Sequence, residues 1–487
     1  MFNFPAPTID WVIIAPTMIV SITGLLALCL EMIWPKRDNT WIIGVSLVGL
    51  IMAAVSVVAQ FSYPEATTFS DTVIRDRFAL VMQLLLIVAA FCSLLFSESY
   101  LRDKRISYGE FYPIILWSLV GGMVMVTTRN MLLMFLGIEI LSIALYVLAG
   151  LSRSESKSEE SALKYFLLGS FASGFLLYGV ALLYGATGSL DISAIASAWP
   201  RADLMHQTLL VFGFGMVFVG LGFKSAFVPF HQWTPDVYQG APTNVSAFMA
   251  AGSKIGALAA LWRFLEGAEG MKAIWMPALT VVAILTMTAG NLAALVQKDA
   301  KRVLGYSSIS HAGYILVGIL AHFAAPDKVG FGSLAYYLLS YTLMTVGAFA
   351  VVSLGANKGK EGTKFEELRG LWRRSPFAVA CLIVFVASLI GIPLTSGFAG
   401  KFMIFGDALK ANLTVLAIAL AINSILSVAY YLQMIKAMFV DDVEGDEVIE
   451  KRPVSLGMTT VCALCAGGIV AAFIFTPVVI EFLVGKS

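Results

Sequence analysis

Long apolar runs alternate along the chain with short polar, glycine- or proline-containing connections. A helix needs about 20 apolar residues to cross the hydrocarbon core of a bilayer, and a chain in lipid must pair its backbone polar groups internally. The pattern therefore predicts an all-α, polytopic membrane protein of about fourteen transmembrane helices. The predicted spans are 11–34, 41–61, 77–97, 110–128, 131–150, 161–186, 207–229, 242–265, 273–296, 302–324, 331–354, 376–406, 411–439 and 454–484.

Helix-breaking residues interrupt two of these spans. Pro229 and Pro235 flank a polar stretch with His231 at the end of the seventh span, and Pro393 and Gly397 interrupt the twelfth. Proline removes a backbone donor and clashes with the preceding turn of a helix. Broken helices at matching places in two halves are typical of transporters built from inverted repeats. Because the two breaks lie five spans apart, spans 4–8 and 9–13 are predicted to form two inverted five-helix repeats.

We interpret the whole chain, 1–487, as a single transmembrane domain, since no soluble domain or low-complexity tract is evident. The connection 355–375 is the most charged stretch and is expected to be solvated or interfacial. The predicted parts are an N-terminal group of three spans at 1–109, a first unit at 110–265, a second unit at 266–439 and a C-terminal span at 440–487.

Composition agrees with a membrane location. The chain is 59% hydrophobic and 13% charged, whereas soluble domains carry about 25% charged residues. The net charge of +1 argues against nucleic acid as a partner. Cys462 and Cys465 form a CxxC inside a predicted span, without a second such pair, and are interpreted as small buried side chains.

The distribution of lysine and arginine predicts the orientation. With the N-terminus outside, the inside connections carry nineteen lysines and arginines and the outside segments carry nine. Positively charged residues favour the cytoplasmic side of a membrane. We therefore expect both termini on the outer side of a cytoplasmic membrane.

Five charged residues lie away from the ends of the predicted spans: Glu139, Lys164, Lys224, Lys254 and Lys401. Each charge at a helix centre costs about 2.5–3.5 kcal/mol on insertion scales, so such residues are expected to pair or to serve a function. Burial and a nearby carboxylate shift the pKa of a lysine in opposite directions, which suits a proton relay. The alternative is that the lysines snorkel to the surface or only form ion pairs; Lys164 is the best candidate for that because it follows a polar loop.

His311 lies mid-helix among serines and His231 lies in the first broken turn. Histidine titrates near neutral pH, so both are candidate proton carriers, although either could be a merely hydrogen-bonded side chain. No HExxH motif or haem-ligand spacing occurs. We therefore expect neither a metal site nor a cofactor-binding site in this chain.

Three stretches carry a resemblance to a known family: KSAFVPFHQWTPDVYQGAPT (224–243), NLAALVQKDAKRVLGYSSISHAGY (291–314) and GIPLTSGFAGKF (391–402). They resemble the antiporter-like membrane subunits of respiratory complex I, the NADH–quinone oxidoreductase. The resemblance extends over nearly the whole chain, and the stretch around His231 is its most specific part.

The resemblance implies a proton-pumping module in the bacterial inner membrane. It places Glu139 against Lys224 and makes Lys254 the central lysine, with Lys401 on the second broken helix and Lys164 on the sixth span. It also implies that NADH, FMN, iron–sulfur clusters and quinone belong to partner subunits, namely the other membrane subunits and the quinone-reducing arm. The chain would then be a non-redox subunit of an enzyme.

The sequence therefore predicts proton translocation through buried lysines, a glutamate, a histidine and water, coupled to quinone reduction elsewhere. Two alternatives stay open at this point. A subunit of a multisubunit cation/proton antiporter would share the lysines and the broken helices, and a non-transporting membrane scaffold would leave the intramembrane charges unexplained.

Overall fold

A computed structural model describes residues 8–33, 40–106, 108–153, 155–356, 360–440 and 454–485. Within these residues the chain is almost entirely helical, with one short antiparallel hairpin. Twelve helical segments are long and apolar enough to cross a membrane, and two shorter apolar helices complete the fourteen expected spans. The predicted all-α, polytopic architecture is therefore confirmed.

The N-terminal part comprises four helices and the hairpin. These are α1 (Trp11–Ile33), α2 (Thr40–Ala59), β1 (Ala66–Thr68), β2 (Val73–Arg75), α3 (Arg77–Leu95) and α4 (Ser97–Asp103). In the hairpin Ala66 pairs with Arg75, and Thr68 pairs with Val73. The helices α1 and α2 expose most of their surface, which is apolar, whereas α3 is largely buried. Such apolar faces suit contact with lipid.

The first unit contains the fourth to eighth spans. Its helices are α5 (Phe111–Thr127), α6 (Met131–Ala149), α7 (Ser156–Thr187), α8 (Ile192–Ala198), α9 (Leu204–Ser225), α10 (Trp233–Gly240), α11 (Thr243–Phe248) and α12 (Lys254–Gly267). A π-helical turn, Met249–Ser253, joins α11 to α12. The seventh span is broken between α9 and α10, where Pro229 lies.

The second unit contains the ninth to thirteenth spans. Its helices are α13 (Lys272–Ala294), α14 (Ala300–Ala324), α15 (Gly332–Val352), α16 (Leu371–Arg374), α17 (Pro376–Ile390), α18 (Ser396–Lys410) and α19 (Thr414–Phe439). The second broken span of the chain lies in this unit and consists of α17 and α18. Short 3₁₀ turns occur at Gln60–Ser62, Trp199–Arg201, Glu269–Met271 and Ser353–Gly355.

The C-terminal span differs from its prediction as one helix over 454–484. It divides into α20 (Leu456–Ile474) and α21 (Thr476–Val484). Pro477 lies in the first turn of α21, where its missing N–H is tolerated, whereas a continuous helix would lose a hydrogen bond there.

The core of the bundle lies on α3, α11–α12, α14 and α15, which are the most buried of the candidate spans. Lys254 is on α12 and His311 is on α14, so titratable side chains sit in the part of the bundle farthest from lipid. Charged groups inside a membrane protein almost always face a bundle interior or water. These buried helices are therefore the candidate location of a functional site.

Candidate functional site

The first helix break satisfies its own backbone. Ala226 has left-handed backbone angles (φ 61°), and the Phe227 amide donates to the Gly222 carbonyl at 2.9 Å. The Trp233 indole N–H donates to the Phe223 carbonyl, also at 2.9 Å. A helix end normally leaves its last carbonyls without intrahelical partners. Because these donors already occupy them, a lysine in the last turn must find its acceptor on another helix.

Lys224 lies in that last turn of α9 and is 3% exposed. Its Nζ donates to the Tyr165 hydroxyl at 3.1 Å and lies 4.9 Å and 5.4 Å from the ring centroids of Tyr165 and Tyr146. An ammonium has three donors, so one phenol oxygen and two aromatic faces satisfy it only in part.

The direct ion pair expected between Glu139 and Lys224 is not formed. Glu139 instead accepts a hydrogen bond from the Ser173 hydroxyl. Ser173 and Lys224 line a common cavity of about 10 Å³, which is roughly the space of one water molecule. The carboxylate lies on a half-buried face of α6, whereas the lysine is fully inside the bundle. A serine and a water-sized space therefore separate the two charges.

Lys254 follows the π-helical turn Met249–Ser253 and is 2% exposed. Such turns within α-helices are frequent at functional sites. Its Nζ donates to the carbonyl of Ser308 and, at 2.5 Å, to the hydroxyl of the same residue. The Tyr341 hydroxyl donates to that serine oxygen at 2.9 Å. Within the described residues no carboxylate forms a salt bridge with Lys254.

His311 lies one helical turn beyond Ser308 on α14 and is 1% exposed. Its Nδ1 is 2.7 Å from the Tyr337 hydroxyl and its Nε2 is 3.4 Å from the Tyr431 hydroxyl. Its ring centroid is 5.1 Å from that of Tyr341. Both ring nitrogens thus have hydroxyl partners. Among the described residues no cluster of histidine, cysteine or carboxylate side chains could hold a metal ion.

The second break begins like the first. Gly391 has left-handed backbone angles (φ 90°), and the Ile392 amide donates to the Ala387 carbonyl at 2.8 Å. Pro393 follows in the turn 391–395. The next glycine, Gly397, packs so closely that an added Cβ would lie 1.9 Å from the Ser388 carbonyl oxygen. Proline and glycine here therefore allow the ends of α17 and α18 to meet.

Lys401 caps the end of the helix that precedes the break. Its Nζ donates to the carbonyls of Leu389 and Ile390 at 2.8 Å and 3.0 Å, and to the Ser424 hydroxyl at 2.9 Å. These acceptors match the three donors of an ammonium, and a cation is favourable at a helix C-terminus. The nitrogen is 4.9 Å from the ring centroid of Tyr314, whose ring centroid lies 5.3 Å from that of His311.

The buried residues Lys224, Lys254, His311 and Lys401 are termed the lysine axis, and Lys164 lies outside it. Its side chain is 41% exposed and forms salt bridges with Glu160 at 2.6 Å and Asp236 at 2.8 Å. Asp236 also binds Arg302 at 2.7 Å. Lys164 therefore has the ion pairs that were the alternative for this residue, and its part in a proton pathway stays a prediction.

The remaining predicted residues lie at the first break. His231 is half-buried in the turn 226–232, and no hydrogen bond joins it to a lysine within the described residues. Pro229 lies in the same turn. Pro235 lies in the first turn of α10, so it starts a helix there and does not break one.

Sequence reasoning did not identify the hydroxyl partners of the lysines. Tyr165, Ser308 and Ser424 supply these oxygens from helices remote in sequence, and Tyr341 donates in turn to Ser308. The spacing of Tyr337 and Tyr341, four residues apart on one helix face, was a usable signal. Tyrosine is nevertheless common in apolar spans, where it is interpreted as a packed core side chain.

Comparison with known proteins identifies the family. The family described as "NADH:quinone oxidoreductase/Mrp antiporter, TM" matches residues 128–427. The N subunit of NADH-quinone oxidoreductase from Trichlorobacter lovleyi is 40% identical over 476 residues, covering 98% of this chain and 96% of that protein. Subunit N 2 from Koribacter versatilis is 41% identical over 473 residues, covering 95% and 94% of the two chains.

Solved structures agree. A chain of respiratory complex I from Thermus thermophilus is 34% identical, with a TM-score of 0.81, covering 97% of this chain and 100% of that one. A chain of the Mrp complex from Dietzia sp. DQ12-45-1b has a TM-score of 0.81 at 20% identity, covering 96% of each chain, and shows the shared fold alone. This chain therefore belongs to the NADH:quinone oxidoreductase/Mrp antiporter transmembrane family, among antiporter-like membrane subunits whose relatives here are N subunits of NADH-quinone oxidoreductase.

Proposed function

We propose that this chain translocates protons through Lys224, Lys254, His311 and Lys401, driven by quinone reduction elsewhere in a complex I assembly. One observation carries the proposal: within the described residues, all three lysines are buried without a carboxylate salt bridge. A buried lysine in a salt bridge with a carboxylate would be held in its charged form and would serve the structure. Lysines held only by hydroxyls, carbonyls and aromatic faces can exchange protons at a tolerable energetic cost.

The energies are compatible with this role. Moving one elementary charge against 100 mV requires about 2.3 kcal/mol, and a shift of two pKa units in one group corresponds to about 2.7 kcal/mol. A modest electrostatic change beside one lysine is therefore sufficient to drive a transfer. The hydroxyl-bearing side chains of Ser308 and Tyr341 lie between Lys254 and the His311 ring, and water would complete the other gaps.

Glu139 is the proposed control point for coupling. Its carboxylate is half-buried and linked through Ser173 to the cavity that Lys224 lines. A partner subunit that changed the charge or solvation of Glu139 would alter the electrostatic potential at Lys224 without touching it. The expected partners are other complex I membrane subunits and the quinone-reducing arm.

The test is a proton-gradient assay on inverted membrane vesicles, normalised to assembled complex. Lys254→Ala should abolish pumping, and Lys254→Arg should not restore it, because arginine does not release its proton. Lys410→Ala is the control, since its side chain is 60% exposed. Normal pumping by assembled Lys254→Ala protein would refute the proposal. Copurification with antiporter subunits and without quinone-reducing subunits would favour the cation/proton antiporter alternative.

We further propose that the chain holds no haem, flavin, iron–sulfur cluster or nicotinamide of its own. The support is the lack of the corresponding ligand spacings in the sequence. Purified chain, separated from partner subunits, should lack visible absorbance and stoichiometric iron. A cofactor spectrum that survives this separation would contradict the proposal.

The proposed orientation has both termini outside and the connection 355–375 inside, from the asymmetry of lysine and arginine. The terminal residues 1–7 and 486–487 lie outside the described residues. Single cysteines at Lys360 and Ser487, in a background without native cysteines, can be treated with an impermeant reagent in right-side-out vesicles. Labelling only at position 487 is expected, and labelling only at position 360 would reverse the orientation.

A further inference from the structure

A buried charge cluster lies away from the lysine axis and centres on Glu361, in the connection between α15 and α16. The Glu361 carboxylate accepts hydrogen bonds from the Tyr100 hydroxyl at 2.7 Å and from the Thr243 hydroxyl. It also binds Lys301 at 2.8 Å and Lys104 at 3.0 Å. The side chains of both lysines are fully buried, and that of Glu361 is 14% exposed. One carboxylate thus receives four donors from three different parts of the chain, namely the α4 segment, the start of α11 and the start of α14.

The cluster keeps its charge at physiological pH. Burial acts to raise the pKa of Glu361, but Lys301 and Lys104 outweigh it and lower that pKa to about 2. The carboxylate is therefore ionised throughout the neutral range. Lys104 has a second carboxylate partner in Glu155 at 2.5 Å, so the two lysines face two glutamates.

Backbone contacts hold the Glu361 segment in place. The Ala300 amide donates to the Thr363 carbonyl at 2.9 Å, and the Phe365 amide donates to the Lys298 carbonyl at 3.0 Å. Gly362 has φ 61°, and a Cβ there would lie 2.0 Å from the carbonyl oxygen of a facing glycine. The segment 360–365 is thus docked on the start of α14, and its geometry requires glycine.

The elements that meet at Glu361 are those that carry the proposed pathway. Thr243 is the first residue of α11, which continues into Lys254 on α12. Lys301 is in the first turn of α14, the helix of His311. The Glu361 segment itself leads through α16 to the second broken span. The cluster joins both units, with Thr243 eleven residues before Lys254 in the chain and Lys301 ten residues before His311 on α14.

We propose that Glu361 is a positioning residue that holds the Lys254 helix and the connection ahead of the second broken span in one geometry, so that a charge change in the first unit reaches the second. This inference rests on the proposed proton translocation. Glu361 itself carries no proton in the pathway. Its loss should lower the number of protons moved per quinone reduced while the lysine axis stays intact.

The experiment compares Glu361→Gln with Glu366→Gln in the assembled complex. Both substitutions remove one charge from the same connection, but Glu366 is exposed. Quinone reduction and the proton gradient are measured in inverted vesicles at equal amounts of complex. The ratio of protons to quinone should fall by about twofold or more for Glu361→Gln, in the range by which substitutions change coupling between sites, and should be unchanged for Glu366→Gln.

A charge exchange separates positioning from simple loss of packing. Glu361→Lys combined with Lys301→Glu keeps one opposite-charge pair and should recover at least half of the lost ratio, whereas Glu361→Lys alone should not. An unchanged ratio for assembled Glu361→Gln, or a loss of complex without a change in ratio, would overturn the inference. Normal pumping by Lys254→Ala would instead refute the proposed function, so the two failures are distinguishable.

Discussion

At both breaks a helix ends in a residue with left-handed backbone angles, Ala226 at the first and Gly391 at the second. The amide of the next residue then donates to the carbonyl five residues before it. The two lysines then differ. Lys224 lies two residues before its left-handed residue and reaches a phenol on another helix. Lys401 lies ten residues after its own and binds the carbonyls that the break exposes. The breaks correspond, but the lysines occupy different positions beside them.

This difference follows from which side chain donates hydrogen bonds to the carbonyls at the end of each broken helix. At the first break the Trp233 indole occupies the Phe223 carbonyl, so Lys224 keeps unused donors beside a water-sized cavity. At the second break Lys401 performs the capping and all its donors have protein acceptors. Lys224 is therefore the more easily perturbed site and Lys401 the more tightly held one.

The largest effect is expected from Lys401→Ala, which should abolish proton pumping and also destabilise the complex. The Leu389 carbonyl would lose its ammonium donor, whereas the Ile390 carbonyl keeps the Ser424 hydroxyl at 3.2 Å, and an unsatisfied buried polar group costs about 1–3 kcal/mol. Lys224→Ala should abolish pumping with a smaller loss of stability, since one phenol loses one partner. Thermal midpoints and amounts of assembled complex check this, and equal destabilisation would remove the distinction between the two breaks.

A smaller effect is expected at the coupling point. Glu139→Gln should reduce pumping less than Lys224→Ala does, because Ser173 and the cavity separate the carboxylate from the amine. Ser173→Ala should act in the same direction as Glu139→Gln. The double variant of Glu139 and Lys224 should pump no worse than Lys224→Ala, as expected when both changes affect one step. Additive losses in the vesicle assay would indicate independent roles.

The left-handed positions provide a test of stability alone. Gly391→Ala should destabilise the complex by about 1–2 kcal/mol, the cost of a left-handed non-glycine residue, and its Cβ would lie 3.2 Å from the Lys401 Cδ. Ala226→Gly should change stability by less than about 1 kcal/mol, because relief of strain offsets the flexibility of glycine. Thermal unfolding in detergent measures both. A larger loss for Ala226→Gly would contradict the geometry.

The smallest effect is expected from Lys164→Ala. Its exposed salt bridges with Glu160 and Asp236 should contribute about 0–1 kcal/mol, and pumping should remain close to wild type. Glu160→Gln is the matched control, since it removes one of the two carboxylate partners. Loss of pumping in assembled Lys164→Ala protein would return this residue to the pathway.

The sequence alone was sufficient to predict the spans, apart from the division of the last one, together with the two breaks and the buried Lys224, Lys254 and Lys401. Length and apolarity predict a transmembrane helix without knowledge of its neighbours. Proline and glycine act on the backbone within one turn, so Pro393 and Gly391 mark their break locally. The cost of burying a charge makes Lys224, Lys254 and Lys401 conspicuous in any apolar run.

Only the tertiary structure decided which atoms these charges meet. Lys224 meets Tyr165, 59 residues away, instead of Glu139, and Lys164 turns to Asp236, 72 residues away. Lys301, which by sequence is one more positive residue at a membrane boundary, is buried by Glu361, 60 residues further along the chain. Local composition predicts whether a side chain needs a partner, but the partner is chosen by the packing of distant helices, which no local pattern encodes.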